Sequence, residues 1–193
     1  MSPELEILRS PQRAFARFAA HAPPLSPIEA CYRPAVVLIT IATAVSISAT
    51  SHVSVGVIAS LMACWSLVLA LQLGAAFVVI PASARRTFGT ARMIDLFFTG
   101  HAPWSLWLLA FALWAATSPP PARDVRWPLA SIVVPMVWTS VIVFAFFRAA
   151  LAMPHRRALA RTIAHQALTL GIGFGTFGLA VAIWPRILGM FGR

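Results

Sequence analysis

The side chains in this 193-residue sequence best able to hold a metal, move a proton or attack a substrate are few. They are His21, His52, His101, His155 and His165, the acids Glu4, Glu6, Glu29, Asp95 and Asp124, and the thiols Cys31 and Cys64. A haem held by two imidazoles needs a pair at matching depth on adjacent helices. His101 and His165 meet that condition at the inner edge of their apolar runs, and they are the weak candidates for a cofactor contact. The remaining histidines read as interfacial. No metal centre and no cofactor is expected, although bound lipid is.

Other catalytic signatures are missing. The sequence holds no His-Glu-x-x-His, no phosphate loop closing on Gly-Lys, no Cys-x-x-Cys and no Gly-x-Ser-x-Gly. Gly171, Gly173 and Gly175 imitate the start of a dinucleotide loop, but they lie inside an apolar run with no strand before them. Their better reading is packing. Ala167, Gly171 and Gly175 recur every four residues, with Gly178 extending the row, a small-residue face along which two helix backbones can approach closely.

The elements that carry these residues are set by composition. Hydrophobic residues make up 60% of the chain and charged residues 10%, against roughly a quarter charged in ordinary globular domains. The apolar residues fall in long runs, and a bilayer core of about 30 Å takes about 20 helical residues. That ruler gives an all-α, polytopic integral membrane helix bundle with five spans, near 30–50, 54–80, 103–118, 128–152 and 162–184. A cytoplasmic segment, residues 1–25, precedes this membrane domain of residues 26–193. The third run is the shortest and ends at Pro119-Pro120-Pro121. Pro135 should kink the fourth, and Pro185 should close the fifth.

Two stretches read as amphipathic helices in the inner interface. In the first, Ser10 caps, Pro11 takes the first helical position, Arg13 and Arg17 lie four apart, and Phe15 and Phe18 form the apolar stripe. The second is Arg92 to Phe98, which leads through Gly100 into the third span. Ser26-Pro27-Ile28-Glu29 has the form of a capping box opening the first span.

All fifteen basic residues are arginine. Eleven fall in the N-terminal segment and in the second and fourth connections; only Arg123, Arg126, Arg186 and Arg193 fall on the other side. This positive-inside bias places the N-terminus in the cytoplasm and the C-terminus outside, in a plasma membrane such as the bacterial inner membrane. Arg13, Arg17, Arg85, Arg86, Arg156, Arg157 and Arg161 read as anchors for lipid phosphate, whose geometry a guanidinium matches, not as a nucleic-acid surface. Tyr32, Trp104, Trp107, Trp127 and Trp184 read as interfacial aromatics.

A short leader containing Pro11-Gln12-Arg13-Ala14-Phe15 followed by five spans resembles bacterial relatives of the YIP (Ypt-interacting protein) family. That resemblance implies a five-span organiser of membrane traffic or membrane complexes, without catalysis; the motifs of the eukaryotic members are absent here.

Proton-coupled carriers and membrane hydrolases place ionisable groups within their spans, whereas the five acids here are expected outside the apolar cores. Gln72 is the most polar side chain deep in a run. The expectation is a non-catalytic membrane subunit or scaffold. It would act by helix packing with other membrane proteins, in a homo- or hetero-oligomeric complex. A transporter or channel component is the alternative, and a haem-binding or lipid-modifying membrane enzyme the further one.

Overall fold

The computed structural model describes residues 3–21, 25–50, 52–84, 89–118, 124 and 126–191, with side chains given for these except 3, 4, 21, 49, 50, 174, 177, 179–181 and 183–191. Among the described residues every regular element is helical. Among those described residues, four helices are long and apolar enough to cross a membrane: Pro27–Ser48, Val55–Val79, Thr90–Thr117 and Arg126–Ala150. Only 22% to 39% of the most apolar window in each is buried within the chain. Apolar surface left open on that scale needs a non-aqueous neighbour, which is compatible with a multi-pass membrane protein.

Helices α1 (Pro3–Arg9) and α2 (Pro11–His21) form the N-terminal hairpin. The amphipathic pattern forms as expected, but its apolar stripe faces protein. Ile7, Ala14 and Phe15 are at most 1% exposed, and the Phe15 ring meets Phe146 edge-on at 5.6 Å. Helix α2 packs beneath the end of the fourth rod, and an Arg17–Glu6 ion pair ties it to α1.

Helix α3 spans Pro27–Thr50 and α4 spans Val55–Val79. The capping box forms: the Glu29 N–H donates to Ser26 Oγ at 3.2 Å, and the Ser26 N–H donates to Glu29 Oε2 at 2.8 Å. These pairs satisfy donors that a helix start leaves open. Pro34 lies inside α3 without ending it, and the short link after Thr50 turns α4 back against α3.

The third rod differs from expectation. Helix α5 (Thr90–Phe98), a 3-10 turn (Thr99–His101) and α6 (Ala102–Thr117) run on as 28 helical residues. Residues 92–98 therefore do not form a separate surface helix. Met93, Leu96, Phe97 and Phe98 are buried and belong to the core. Gly89, at φ 76°, supplies the left-handed residue at the rod's start.

The fourth rod comprises α7 (Arg126–Ala130), α8 (Val133–Ala145) and a π turn at Phe146–Ala150. Pro135 acts one turn earlier than a mid-helix kink would. Its ring excludes a regular bond to the carbonyl four residues back, and the helix is interrupted at Ser131 and Ile132. Proline then sits in the first turn of α8, where its missing N–H is not needed. The π turn is unexpected: the Leu151 N–H reaches the Phe146 carbonyl at 3.2 Å, and Ala152 follows at φ 49°.

Helix α9 runs from His155 to Phe191. It continues through Pro185 instead of stopping there, a tolerance helices show in apolar surroundings. The closest packing follows a cycle, with α3 against α4, α4 against α9, α9 against α8, α8 against α6, and α6 back on α3. Val37, Ile41, Leu69, Ala76, Phe97, Ile142 and Phe147 fill the interior of this ring.

Candidate functional site

Polar chemistry collects in two neighbouring layers, both built around α5. The lower layer is ionic. Because the third rod starts at Thr90, Asp95 lies within a helix packed on α3, and it is 7% exposed. Arg33 Nε donates to its Oδ1 at 2.5 Å, and the Arg92 guanidinium donates to its Oδ2 at 3.2 Å. One carboxylate thus bridges two guanidiniums, on α3 and on its own helix. This corrects the expectation that all acids stand outside the apolar helices. An unpaired charge here would be costly, so the pairs hold α3 and the third rod in register.

One turn further along stands a neutral layer. The Phe97 ring touches His101 edge-on at 5.8 Å and His165 edge-on at 5.1 Å, while Phe98 stacks on His101 at 4.8 Å. His101 Nε2 and Gln72 Oε1 are 3.1 Å apart, so the third rod and α4 are joined across the bundle. Which ring nitrogen of His101 carries the proton depends on its tautomer. His165 comes from α9 and is 4% exposed. Among the buried side-chain atoms without a hydrogen-bond partner are His101 Nδ1, both ring nitrogens of His165, and Nε2 of Gln166. Each such atom costs about 1–3 kcal/mol unless something meets it.

The two weak cofactor candidates are therefore brought together, and away from the interfacial setting expected of them. Gln72, noted only for its polarity, is the link between α4 and this layer. A signal was present in the spacing: Met93, Phe97 and His101 recur every four residues, so His101 continues a buried stripe.

The row of small residues on α9 lies elsewhere. Ala167, Gly171, Gly175 and Gly178 are exposed. At each of the three glycines, no heavy atom stands within 4 Å of where a Cβ would be. The close approach that such a row permits is not used by any described part of this chain.

The arginines expected at lipid phosphate divide into two groups. Arg13, Arg17, Arg156, Arg157 and Arg161 are exposed, with Arg17 also paired to Glu6; Arg85 and Arg86 lie outside the described residues. Tyr32 and Trp127 are 71% and 78% exposed. Trp104 and Trp107 fall near the middle of the 28-residue rod, not at its start. Trp107 donates from Nε1 to Ser131 Oγ at 2.8 Å and stacks on Phe111, so its polar end is satisfied by protein. The side chain of Trp184 lies outside those described. At the opposite end, Arg126 donates to both Asp124 oxygens at 3.0 and 2.9 Å. That pairing holds the Asp124 carboxyl below its ordinary value.

No family model, curated protein or solved structure matches the chain. The resemblance to the YIP family gains no support from them, and function must be argued from the geometry.

Proposed function

We propose that this protein is a non-catalytic, multi-pass membrane subunit or scaffold that binds another membrane protein through the small-residue face of α9. The observation that carries this reading is the open ground along Gly171, Gly175 and Gly178. All three are exposed, and a methyl group added at any of them would meet nothing within 4 Å. In a bilayer, apolar burial does little to drive helices together, and close backbone approach at small residues takes its place. Lipid contact alone would be served as well by leucine. A face of glycine suits a partner helix, which no described part of this chain supplies.

Helix α9, with 37 residues, extends roughly 55 Å at 1.5 Å per residue. A core of about 30 Å leaves room for a fifth crossing over residues 162–184, with Arg156, Arg157 and Arg161 standing at its inner end. The arginine distribution supports a cytoplasmic N-terminus and an outer C-terminus in a bacterial inner membrane.

The test is capture from native membranes in gentle detergent, comparing the unsubstituted chain with Gly171→Ile and Gly175→Ile. A protein or second copy retained by the first and lost from the variants supports the reading. A monomer with no companion in any preparation ends it.

A further inference from the structure

Between the N-terminal hairpin and the fourth rod lies an open cavity of about 350 Å³, within the roughly 300–1,000 Å³ of small-molecule sites. Ser10, Gln12 and Arg13 form its polar wall, and Val141, Phe144 and Ala145 of α8 form its apolar wall. The two helices that carry these walls are held together by Phe15 and Phe146, whose rings meet edge-on at 5.6 Å. We propose that this cavity binds one phospholipid with an anionic headgroup, its phosphate at Arg13 and one acyl chain laid along α8.

Charge selects the headgroup. No carboxylate is among the lining residues, and the first turn of α2 carries no acid. Glu6 on α1 is held by Arg17. Arg13 is exposed and makes no ion pair among the described residues. Its guanidinium fork matches two phosphate oxygens, and the Ser10 hydroxyl and Gln12 amide offer donors to the glycerol and ester oxygens beside them.

The apolar wall selects a lipid over a free phosphate. Val134, Val137, Trp138 and Val141 share one face of α8 by their spacing, and all are 43% to 67% exposed. This stripe runs into the cavity at Phe144 and Ala145. From Val134 to Phe144 the helix rises roughly 15 Å at 1.5 Å per residue, which is half of a hydrocarbon core of about 30 Å, the depth of one leaflet. Ser140 within this segment gives its hydroxyl to the Met136 carbonyl, so it adds no unmet donor to the acyl path. Arg148, three residues beyond Ala145, is exposed. A stripe of leaflet length thus ends where cationic groups begin, in the order that a phospholipid presents its chain and its phosphate. This inference goes beyond the scaffold reading; it shares the membrane setting and uses no part of the glycine row on α9.

The test titrates the full-length chain, stripped of lipid in detergent, with phosphatidylglycerol, phosphatidylethanolamine or soluble glycerol phosphate, and reads bound species by native mass spectrometry. The expected result is one phosphatidylglycerol per chain, held roughly tenfold more tightly than phosphatidylethanolamine, and no retention of glycerol phosphate. Arg13→Gln weakens phosphatidylglycerol binding roughly tenfold, and Arg13→Lys, which keeps the charge without the fork, recovers part of it. Val141→Trp, at an exposed position, fills the cavity and displaces the lipid. Arg126→Gln, the same charge change at the Asp124 pair, leaves binding unchanged. On the unsubstituted chain, phosphatidylglycerol with a photo-reactive group in its acyl chain should label residues 134–144 above the other rods, a readout that needs no variant to fold. Equal retention of phosphatidylethanolamine, retention of glycerol phosphate, indifference to Arg13→Gln, or label spread evenly over the four rods would each overturn the proposal, without bearing on capture of a partner through Gly171 and Gly175.

Discussion

Replacing Asp95 with asparagine removes one charge and leaves two guanidiniums facing each other. In the intact protein Arg33 and Arg92 both bond this carboxylate, and their side chains are only 21% and 15% exposed. Removing one partner of a buried ion pair costs about 3–5 kcal/mol. The residual exposure lets water recover part of that, and the asparagine oxygen keeps one acceptor, so the lower end, about 3 kcal/mol, is the expected loss. For a chain of this length each kcal/mol moves the melting temperature by roughly 2–4 °C, so Asp95→Asn should melt roughly 6–12 °C lower. Tryptophan fluorescence during heating in micelles reads this directly. Adding Arg33→Gln to Asp95→Asn removes one of the orphaned charges, so the double variant should be more stable than Asp95→Asn alone. A melting temperature for Asp95→Asn within about 1 °C of the parent, as solvated surface pairs give, would refute the reasoning.

Other outcomes follow from the same geometry. Phe15→Ala empties a fully buried site against Phe146 and should cost about 3 kcal/mol or more; limited proteolysis should then cut between α2 and α3 faster than in the parent. Asp124, held low by Arg126, adds stability that is complete above its ordinary value of 3.8 and is lost as pH falls through its lower folded value. Any melting difference between the parent and Asp124→Asn should therefore vanish in stronger acid, and a difference that grew on acidification would contradict the pairing. Reporter fusions after residue 120 and at the C-terminus should both report the outer side, and a fusion near residue 88 the cytoplasm.

Much of the architecture is legible in the residues because bilayer-length apolar runs leave little choice of element. The capping box at Ser26–Glu29 and the α3–α4 hairpin are cases where local chemistry alone decides the outcome. The third rod is harder to read. Its charged residues, Arg92 and Asp95, look like the edge of a span until Arg33 on another helix neutralises them, and no pattern within residues 90–118 reveals that partner. The break before Pro135 follows from proline chemistry, but its displacement to Ser131 depends on the clash four residues back. Continuation of α9 through Pro185 also runs against the local signal, since proline alone argues for a stop. His101 and His165 are 64 positions apart in the chain, so their meeting at Phe97 depends on the ring of helices. The glycine row on α9 is legible as a packing face; its outward exposure is visible only when the neighbours are in place.

A photo-activatable residue placed at Gly175 in native membranes tests the scaffold reading most directly. Leu113, 67% exposed on α6, serves as the comparison site. The account predicts a discrete cross-linked species of defined mass from position 175, a second copy or another membrane protein, and none from position 113. Cross-linking from position 175 to lipid alone would contradict it.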